Sequence, residues 1–458
     1  MKNIKLKHYT LREDDEDTIH VFEGRSPRQA ALKAAARGFK DIHLREQEQD
    51  KKGEYKVHVF GGVVEKVRKS KKASELVNKP NVRKIRTYQL EKEDLVKRKV
   101  KPAVTPAVKK KVARAAPEIP QTRPKLKVFS STAMLKPAGE GWESYATFNP
   151  AAVYDSGKVH LLYRAIGAGN RSVLGYATSK DGFHIDERLR NPVFEMEDED
   201  TSETTTKKFE EINFSYVSGG GIYGGCEDPR ITKIDNRFYL PFVHYDGRTP
   251  PRLAITSIKA DNFLKRKWKW KTPVFMSPPG VVDKNPAILP EKINGKYVVF
   301  HRIFPSILID FLDDLNFDGK TKWMKGEFSI NPREGMWDSR KLGVGPTPIK
   351  TKEGWLVIYH AVDDKCKFYN YKIGAMLLDL KDPTKVLHRC NHPVLEPQKD
   401  DGNIIYPCGA VVIKNTLFVY YGSRDTEVKV ATANLNEFLE ALTSKEEAEI
   451  RVAEHFDI

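Results

Sequence analysis

From residue 128 to residue 433 apolar and polar residues alternate in short runs broken by Gly, Pro, Asn and Asp. That period of two predicts strands with one face buried. Three kinds of run recur in a fixed order. The first opens at a proline: Asn149-Pro150-Ala151-Ala152-Val153, Asp228-Pro229-Arg230-Ile231-Thr232, Asn285-Pro286-Ala287-Ile288-Leu289, Gly345-Pro346-Thr347-Pro348-Ile349 and Tyr406-Pro407-Cys408-Gly409-Ala410. The second is rich in aromatics: VHLLYRA, FYLPFVHYDG, YVVFHRI, WLVIYHA and LFVYYGS. The third reads SVLGYATSKDG, RLAITSI, SILIDFL, YKIGAMLLDL and VKVATAN. Five copies of three or four strands predict an all-β five-bladed β-propeller, whose blades leave only short protected edges.

The repeat prolines lie 79, 57, 60 and 61 residues apart. The long first interval holds EMEDEDTSETTTKKFEEINFSYVSGGGIYGG, acidic and then Gly-rich. An insertion of this size is expected on one face, where loops build sites. The tail LNEFLEALTSKEEAEIRVAEHF carries Leu, Phe and Ala at helical spacing, and is read as a cap or a homo-oligomer contact.

A different pattern precedes the repeats. TIHVFEG, DIHLREQ and YKVHVFGG read as strands around a helix over residues 26–38, with Ser26 as N-cap, Pro27 at the first helical position and Gly38 ending it. The next stretch, EKVRKSKKASELVNKPNVRKIRTYQLEKEDLVKRK, is dense in Lys and Arg. The run from Lys99 to Lys127 carries five prolines with Ala, Val and Lys, and reads as an extended basic linker. The expected organisation is a small basic α+β domain over 1–98, a linker over 99–127, the propeller over 128–440 and a C-terminal helix over 441–458.

Charge sharpens this division. The 458-residue chain carries a net charge of +16. Residues 1–125 hold 33 Lys+Arg against 17 Asp+Glu, whereas residues 126–458 hold 45 of each. All six tryptophans and all four cysteines follow residue 140. A basic unit suits a polyanion, and a neutral, Trp-bearing one suits a small molecule or carbohydrate. No window approaches eighteen uninterrupted apolar residues, and the N-terminus lacks an apolar signal region, so neither a membrane span nor a secretory leader is expected. Cys226, Cys366, Cys390 and Cys408 form no C-x-x-C pair and read as reduced thiols of a cytosolic core. No metal or organic cofactor is expected, because no ligand cluster has metal spacing.

In a propeller the first strand of each blade lines the central channel. The blade starts and second-strand ends offer Asn149, Arg164, Glu227, Asp228, Arg230, Lys284, Asn285, His301, Arg302, Lys341, His360, Tyr371 and Asp425. Singly, a Lys or Arg is a solvated face and a Glu-Asp pair before Pro caps a turn. Recurrence at equivalent places in five blades points instead to a shared pocket. Its balance is several cations for few carboxylates. A two-carboxylate glycosidase needs an acid and a base or nucleophile. One acid beside a cationic cluster suits phosphate as the nucleophile, held by an Arg fork and Lys point charges.

The run Gly225-Cys226-Glu227-Asp228-Pro229-Arg230-Ile231 resembles the signature of glycoside hydrolase family 130, the β-mannoside phosphorylases and related β-mannosidases. NPAAVYDSGKVHLLYRAIG, KNPAILPEKINGKYVVFHR, KLGVGPTPIKTKEGWLVIYHAVD, YKIGAMLLDLKDPTKVLHR and YPCGAVVIKNTLFVYYGSRD extend the resemblance over residues 128–440. It implies the same five-bladed propeller. It implies Asp228 as the acid, protonating the glycosidic oxygen through the sugar's 3-hydroxyl while phosphate attacks C1 from the opposite face to give mannose 1-phosphate. It implies Lys284, Asn285, Arg302, Lys341, His360 and Tyr371 around phosphate, and Asn149, Arg164, Arg230 and Asp425 around the sugar. Inorganic phosphate is then a co-substrate and no cofactor is needed. Two positions depart from the family: some members carry Arg at Lys284, and the usual Tyr-His-Gly is Tyr359-His360-Ala361. The retained cationic cluster favours phosphorolysis over the open alternatives, a β-mannoside hydrolase and a non-catalytic sugar-binding propeller.

The run FEGRSPRQAALKAAARG, followed by IHLRE and KVHVF, resembles the small non-histone chromosomal protein of methanogenic archaea, which binds and bends DNA. The resemblance covers residues 8–90 and implies double-stranded DNA as a partner of residues 1–125. The family's later tryptophans are replaced by VFGGVVEKVRKSKK. The resulting expectation is a cytoplasmic, nucleoid-associated protein.

Overall fold

The structure is a computed structural model that describes residues 7–13, 16–24, 26–36, 41–46, 55–68, 76–90, 123–128, 132–196, 212–213, 215–364 and 370–444. It divides into two compact units, Met1–Pro117 and Glu118–Ile458.

In the first unit β1 (Lys7–Glu13), β2 (Glu16–Gly24), β3 (Asp41–Glu46), β4 (Tyr55–Arg68) and β5 (Leu76–Leu90) form one antiparallel sheet in the order β2-β1-β3-β4-β5. Helix α1 (Pro27–Ala36) packs on it. The helix starts as its sequence predicts: Gln29 N donates to Ser26 Oγ at 3.3 Å, and Pro27 needs no partner for an N–H. Its expected end, Gly38, lies outside the described residues. Ala30 and Ala31 are buried against the sheet, and Tyr9, Ile42, Leu44, Val57, Val59 and Phe60 complete the core. The basic run after Gly62, for which no element is predicted, is the β4–β5 hairpin, paired from Tyr55↔Leu90 to Arg68↔Leu76. Its cations hide the strand period, and Pro80 is tolerated because β5 is an edge strand.

The second unit consists of five successive groups of antiparallel strands, the first two joined into one nine-stranded sheet by a parallel pairing of Gly225 with Ser172. The first group is Ala146–Asp155, Lys158–Ile166, Ser172–Ser179 and Glu187–Arg188. The second is Gly225–Glu227 with Thr232–Ile234, Arg237–Tyr245, Arg252–Lys259 and Val274–Phe275. The third is Lys284–Ile288, Tyr297–Ile303, Ser306–Leu312 and Phe328–Ile330. The fourth is Lys341–Val344 with Ile349–Lys350, Trp355–Val362, Lys372–Leu378 and Val386–Arg389. The fifth is Ile405–Ile413, Thr416–Ser423 and Glu427–Asn434, completed by Lys127–Val128 from ahead of the first group. Residues 123–128, the end of the expected linker, thus pack on this unit, and Leu126 is buried. Most of the linker lies outside the described residues.

The inner strand of each group touches the middle or third strand of the group before it, and Ile405–Ile413 returns against Ala146–Asp155. Apolar side chains fill the space between neighbours. Leu162, Tyr176, Phe238 and Phe242 cluster between the first and second groups, Val243, Ile255, Ile288 and Val299 between the second and third, and Leu161, Tyr163, Tyr420 and Val428 between the fifth and first. Each large side chain so buried stabilises the fold by about 1.5–3 kcal/mol. The final helix spans Leu435–Thr443, and its cap Asn434 Oδ1 accepts from Glu437 N at 3.2 Å. Residues 445–458 lie outside the described residues. Cys226, Cys390 and Cys408 are buried free thiols.

Every inner strand is interrupted at its repeat proline. The pairing register shifts between Phe148 and Ala151, between Lys284 and Ala287, and between Pro407 and Gly409. In the second and fourth groups the strand stops at Glu227 and Val344 and resumes at Thr232 and Ile349. A proline cannot donate to the ladder, so the strand bulges there. The residues before three of the prolines, Asn149, Asp228 and Asn285, have φ of 46°, 46° and 60°. Asn and Asp accept this left-handed conformation more readily than other residues with a side chain. The bulge re-aims their side chains out of the strand alternation.

Candidate active site

The five residues that precede the repeat prolines meet in one network. Asn149 Nδ2 donates to Asp228 Oδ1 at 2.8 Å. Arg230 Nη1 donates to the Asp228 carbonyl at 2.9 Å, and its Nε to the Gly345 carbonyl at 2.8 Å. Asn285 Nδ2 donates to the Tyr406 hydroxyl. The Arg230 guanidinium lies 5.9 Å from the Tyr406 ring centroid. One backbone device, used five times, therefore gathers side chains from residues 149 to 406.

Asp228 and its neighbours form one side of this network. Arg164, fully buried, donates from Nη1 to Asp228 Oδ1 at 3.2 Å and from Nη2 to Glu227 Oε1 at 2.9 Å. Its Nε donates to Ser172 Oγ at 3.0 Å and its Nη2 to the Ser218 carbonyl at 2.7 Å. The Gly-rich end of the insertion fits closely here. Gly219 and Gly221 have φ of 65° and 66°, and a Cβ on Gly221 would fall 2.5 Å from Ser172 Oγ. Residues 197–211, the acidic part of the insertion, lie outside the described residues. Burial pushes the Asp228 carboxyl up, but Arg164, Arg230, the Asn149 hydrogen bond and Lys284 outweigh it, so its pKa lies below the ordinary value. The balance reverses at two neighbours. Burial raises Glu227 despite Arg164 and Lys284, and burial with the charge of Asp228 raises Asp425 to about 6.

The cations form the other side. Lys284 Nζ lies 3.8 Å from Glu227 Oε2. Arg302 stands opposite Lys284 across the strand pair and donates from Nε to Asn285 Oδ1 at 2.7 Å. Lys341 Nζ donates to the Tyr371 hydroxyl at 2.7 Å. His360 lies with its ring centroid 4.2 Å from that of Tyr406 and 5.8 Å from that of Tyr371. Its Nδ1 is buried with no hydrogen-bond partner among the described residues. Gly343 packs directly against two of these groups: a Cβ there would fall 2.3 Å from Asn285 Oδ1 and 2.7 Å from His360 Nε2, so only glycine fits. Burial lowers Lys284, and burial with the charges of Arg302, Arg340 and Lys284 holds Lys341 well below the ordinary lysine value. Burial and Arg302, Arg230 and Lys341 hold His360 well below its own. An anion bound here would offset the burial and like charge that depress these lysines.

Of the thirteen candidates named from the sequence, twelve lie in or beside this network, whereas His301 bonds Asp283 and Asp310 instead; two further points refine the expectation. Arg230 is bonded to the Asp228, Val344 and Gly345 carbonyls, so it braces the loop that carries Asp228. Tyr406 was not singled out from the sequence, although the signal was present: it occupies the same pre-proline position as Asn149, Asp228 and Asn285. Among the described residues no group of three or more His, Cys, Asp or Glu could hold a metal ion.

Comparisons with known proteins give the family. The profile of glycoside hydrolase family 130, described as beta-1,4-mannooligosaccharide phosphorylase, matches residues 120–444, and that of non-histone chromosomal protein MC1 matches residues 5–92. A 1,2-beta-oligomannan phosphorylase of Thermoanaerobacter sp. (strain X514) is 38% identical over 327 residues, covering 68% of this chain and 98% of that protein. The solved structure of a beta-1,2-mannobiose phosphorylase from Listeria innocua, in complex with beta-1,2-mannobiose, superposes with a TM-score of 0.53 at 25% identity, covering 69% of this chain and 99% of that one. Chromosomal protein MC1c of Methanothrix soehngenii is 44% identical over 92 residues, covering 19% of this chain and 97% of that protein. The chain belongs to glycoside hydrolase family 130, and its N-terminal segment belongs to the MC1 chromosomal-protein family.

Proposed function

We propose that the second unit is a glycoside phosphorylase that cleaves a β-mannoside with inorganic phosphate, and that the basic unit binds double-stranded DNA. The observation that carries the first part is the convergence of Lys284, Arg302 and Lys341, joined through Asn285 and Tyr406 to the Asp228 side. The five strand groups are read as the blades of a closed propeller with this site in its channel, over 128–440. The ring of contacts between successive groups supports that reading.

In this site phosphate sits among Lys284, Asn285, Arg302, Lys341, His360 and Tyr371, and the sugar among Asn149, Arg164, Arg230 and Asp425. Phosphate oxygen bonds to C1 as the C1–oxygen bond to the leaving sugar breaks with inversion. The products are α-mannose 1-phosphate and a free sugar hydroxyl. Asp228 supplies the proton through the 3-hydroxyl. In the empty site its pKa is depressed, which favours the carboxylate. Bound sugar displaces water and the phosphate dianion adds negative charge, and both shift Asp228 toward its acid form. Phosphate therefore serves as nucleophile and also helps to load the proton. The identity to a 1,2-β-oligomannan phosphorylase supports a β-1,2-mannoside as substrate.

The full-length chain, incubated with β-1,2- and β-1,4-mannobiose, mannosyl-glucose and mannosyl-N-acetylglucosamine, should consume phosphate and release mannose 1-phosphate. Mannose release without phosphate would establish the hydrolase instead, and no product from any substrate would leave a sugar-binding propeller. For the basic unit, the excess of cations within residues 1–125 and the MC1 membership support non-specific duplex binding through phosphate contacts. A phosphate-consuming enzyme joined to a duplex-binding unit supports a cytoplasmic protein beside the nucleoid. Among the described residues no helix is long and apolar enough to cross a membrane.

A further inference from the structure

Lys284 and Arg302 face each other directly across an antiparallel strand pair. Directly opposed side chains come within about 5 Å at Cβ, where like charges repel. The reverse side of the same pair holds three other charged groups. His301 precedes Arg302 and Asp283 precedes Lys284, and neighbours on a strand point to opposite faces. The His301 Nδ1 lies 2.8 and 2.9 Å from the two Asp283 carboxylate oxygens, and its Nε2 lies 3.0 Å from Asp310 Oδ2. All three residues are 1% exposed. Asp310 comes from the next strand, two positions beyond the partner of His301, on the same face. Its carboxylate also accepts from Lys325 N at 3.1 Å and Gly326 N at 3.0 Å. An imidazole with a carboxylate on each nitrogen donates from both, so the ring is an imidazolium. Two carboxylates and one imidazolium leave one net negative charge behind the two cations.

We propose that His301 is a positioning residue for phosphate. As an imidazolium clamped between Asp283 and Asp310, it ties three chain segments together and fixes the spacing at which Lys284 and Arg302 grip the anion. Burial alone would lower the imidazole pKa, but the hydrogen bonds and charges of Asp283 and Asp310 raise it to about 9. Asp283 and Asp310 are the titratable groups that face the ring.

The inference rests on Lys284 and Arg302 being phosphate ligands, and the test separates the two claims. In the full-length chain His301→Gln should raise the phosphate KM about tenfold, the equivalent of one charge-assisted contact. The KM for the mannoside should stay within about twofold. Asp310→Asn, which keeps the side-chain shape, should act in the same direction and serves where the Gln variant does not fold. In the unaltered protein the His301 ring signals should titrate near pH 9 by NMR, identified by their loss in either variant or by through-bond assignment. Folded variants that leave the phosphate KM unmoved, or move both KM values equally, overturn the clamp. So does a His301 that titrates below pH 7. If Arg302→Ala also leaves the phosphate KM unmoved, the reading of the site itself fails. If Arg302→Ala raises it while the His301 and Asp310 variants do not, only the clamp fails.

Discussion

Lys84 of the basic unit is exposed to solvent, whereas Lys284 of the β unit is largely enclosed and lies 3.8 Å from a buried carboxylate. The two units offer phosphate the same kind of charge in opposite surroundings. An exposed cation keeps its hydration and its proton, and neighbouring cations can be added freely, but salt screens it. An enclosed cation loses hydration, and its pKa falls unless a partner arrives. The first arrangement suits a long polyanion met in any register. The second suits one small dianion met in one orientation. The charge count reflects this difference: the excess of 16 cations lies within residues 1–125, whereas residues 126–458 balance 45 against 45.

Salt should separate the two units most sharply. Raising salt from 50 to 200 mM should weaken duplex DNA binding by the full-length chain on the order of a thousandfold, if it contacts about six phosphates. The phosphorolysis rate of the same preparation should change by less than about threefold, because its cations are enclosed. Fluorescence anisotropy and a product assay across one salt series measure both. Parallel losses would show that the enclosed cations are as screened as the exposed ones, and the contrast would collapse.

Asp228→Asn should come next, lowering turnover at least about a hundredfold while mannoside binding and DNA binding persist. Near-normal turnover in the variant would remove Asp228 as the acid. A smaller effect is expected from Lys341→Ala. Loss of one charge-assisted contact should raise the phosphate KM roughly tenfold, with little change in the mannoside KM or in the DNA salt dependence. A shift in both KM values would mean that Lys341 shapes the pocket as a whole.

The short apolar runs bounded by Gly, Pro, Asn and Asp made the fifteen repeat strands legible, although Lys158–Ile166, Ser172–Ser179 and Trp355–Val362 are buried along almost their whole length and not on one face alone. The pocket was legible for a related reason: the polar residues before the prolines recur where the pattern breaks. Other features carried no such signal. Arg230 is bonded to the carbonyls of Val344 and Gly345, more than a hundred residues away, and nothing local predicts that. Ser172 and the Gly219–Gly221 turn matter because they wrap Arg164, a tertiary fact. Leu76–Leu90 was missed because a cation-rich edge strand does not alternate cleanly. The role of His301 was hidden for another reason: alternation turns it to the face opposite Arg302, but only the fold brings Asp283 and Asp310 to its two ring nitrogens.

The least of the expected effects concerns Asp425, and it tests whether enclosure gives the β unit a pH dependence of its own. Burial and the charge of Asp228 raise Asp425 to about 6, above the ordinary 3.8. The folded chain therefore holds this proton more tightly than the unfolded chain does. The stabilisation from protonated Asp425 is fully present below pH 3.8 and is lost as pH rises through 6. Asp228, depressed rather than raised, loses its contribution only as pH falls below its ordinary range, so the two windows do not overlap. Asp425→Asn replaces the titrating group with a permanently neutral one of similar shape. The melting temperature of the variant relative to the unaltered chain should therefore rise between pH 4.5 and pH 7.5, by on the order of 2 °C. Calorimetry at several pH values, with salt held constant, measures it. A difference that stays flat with pH would mean that Asp425 titrates as an exposed carboxylate does. The contrast between enclosed and exposed charge would then not extend to this residue.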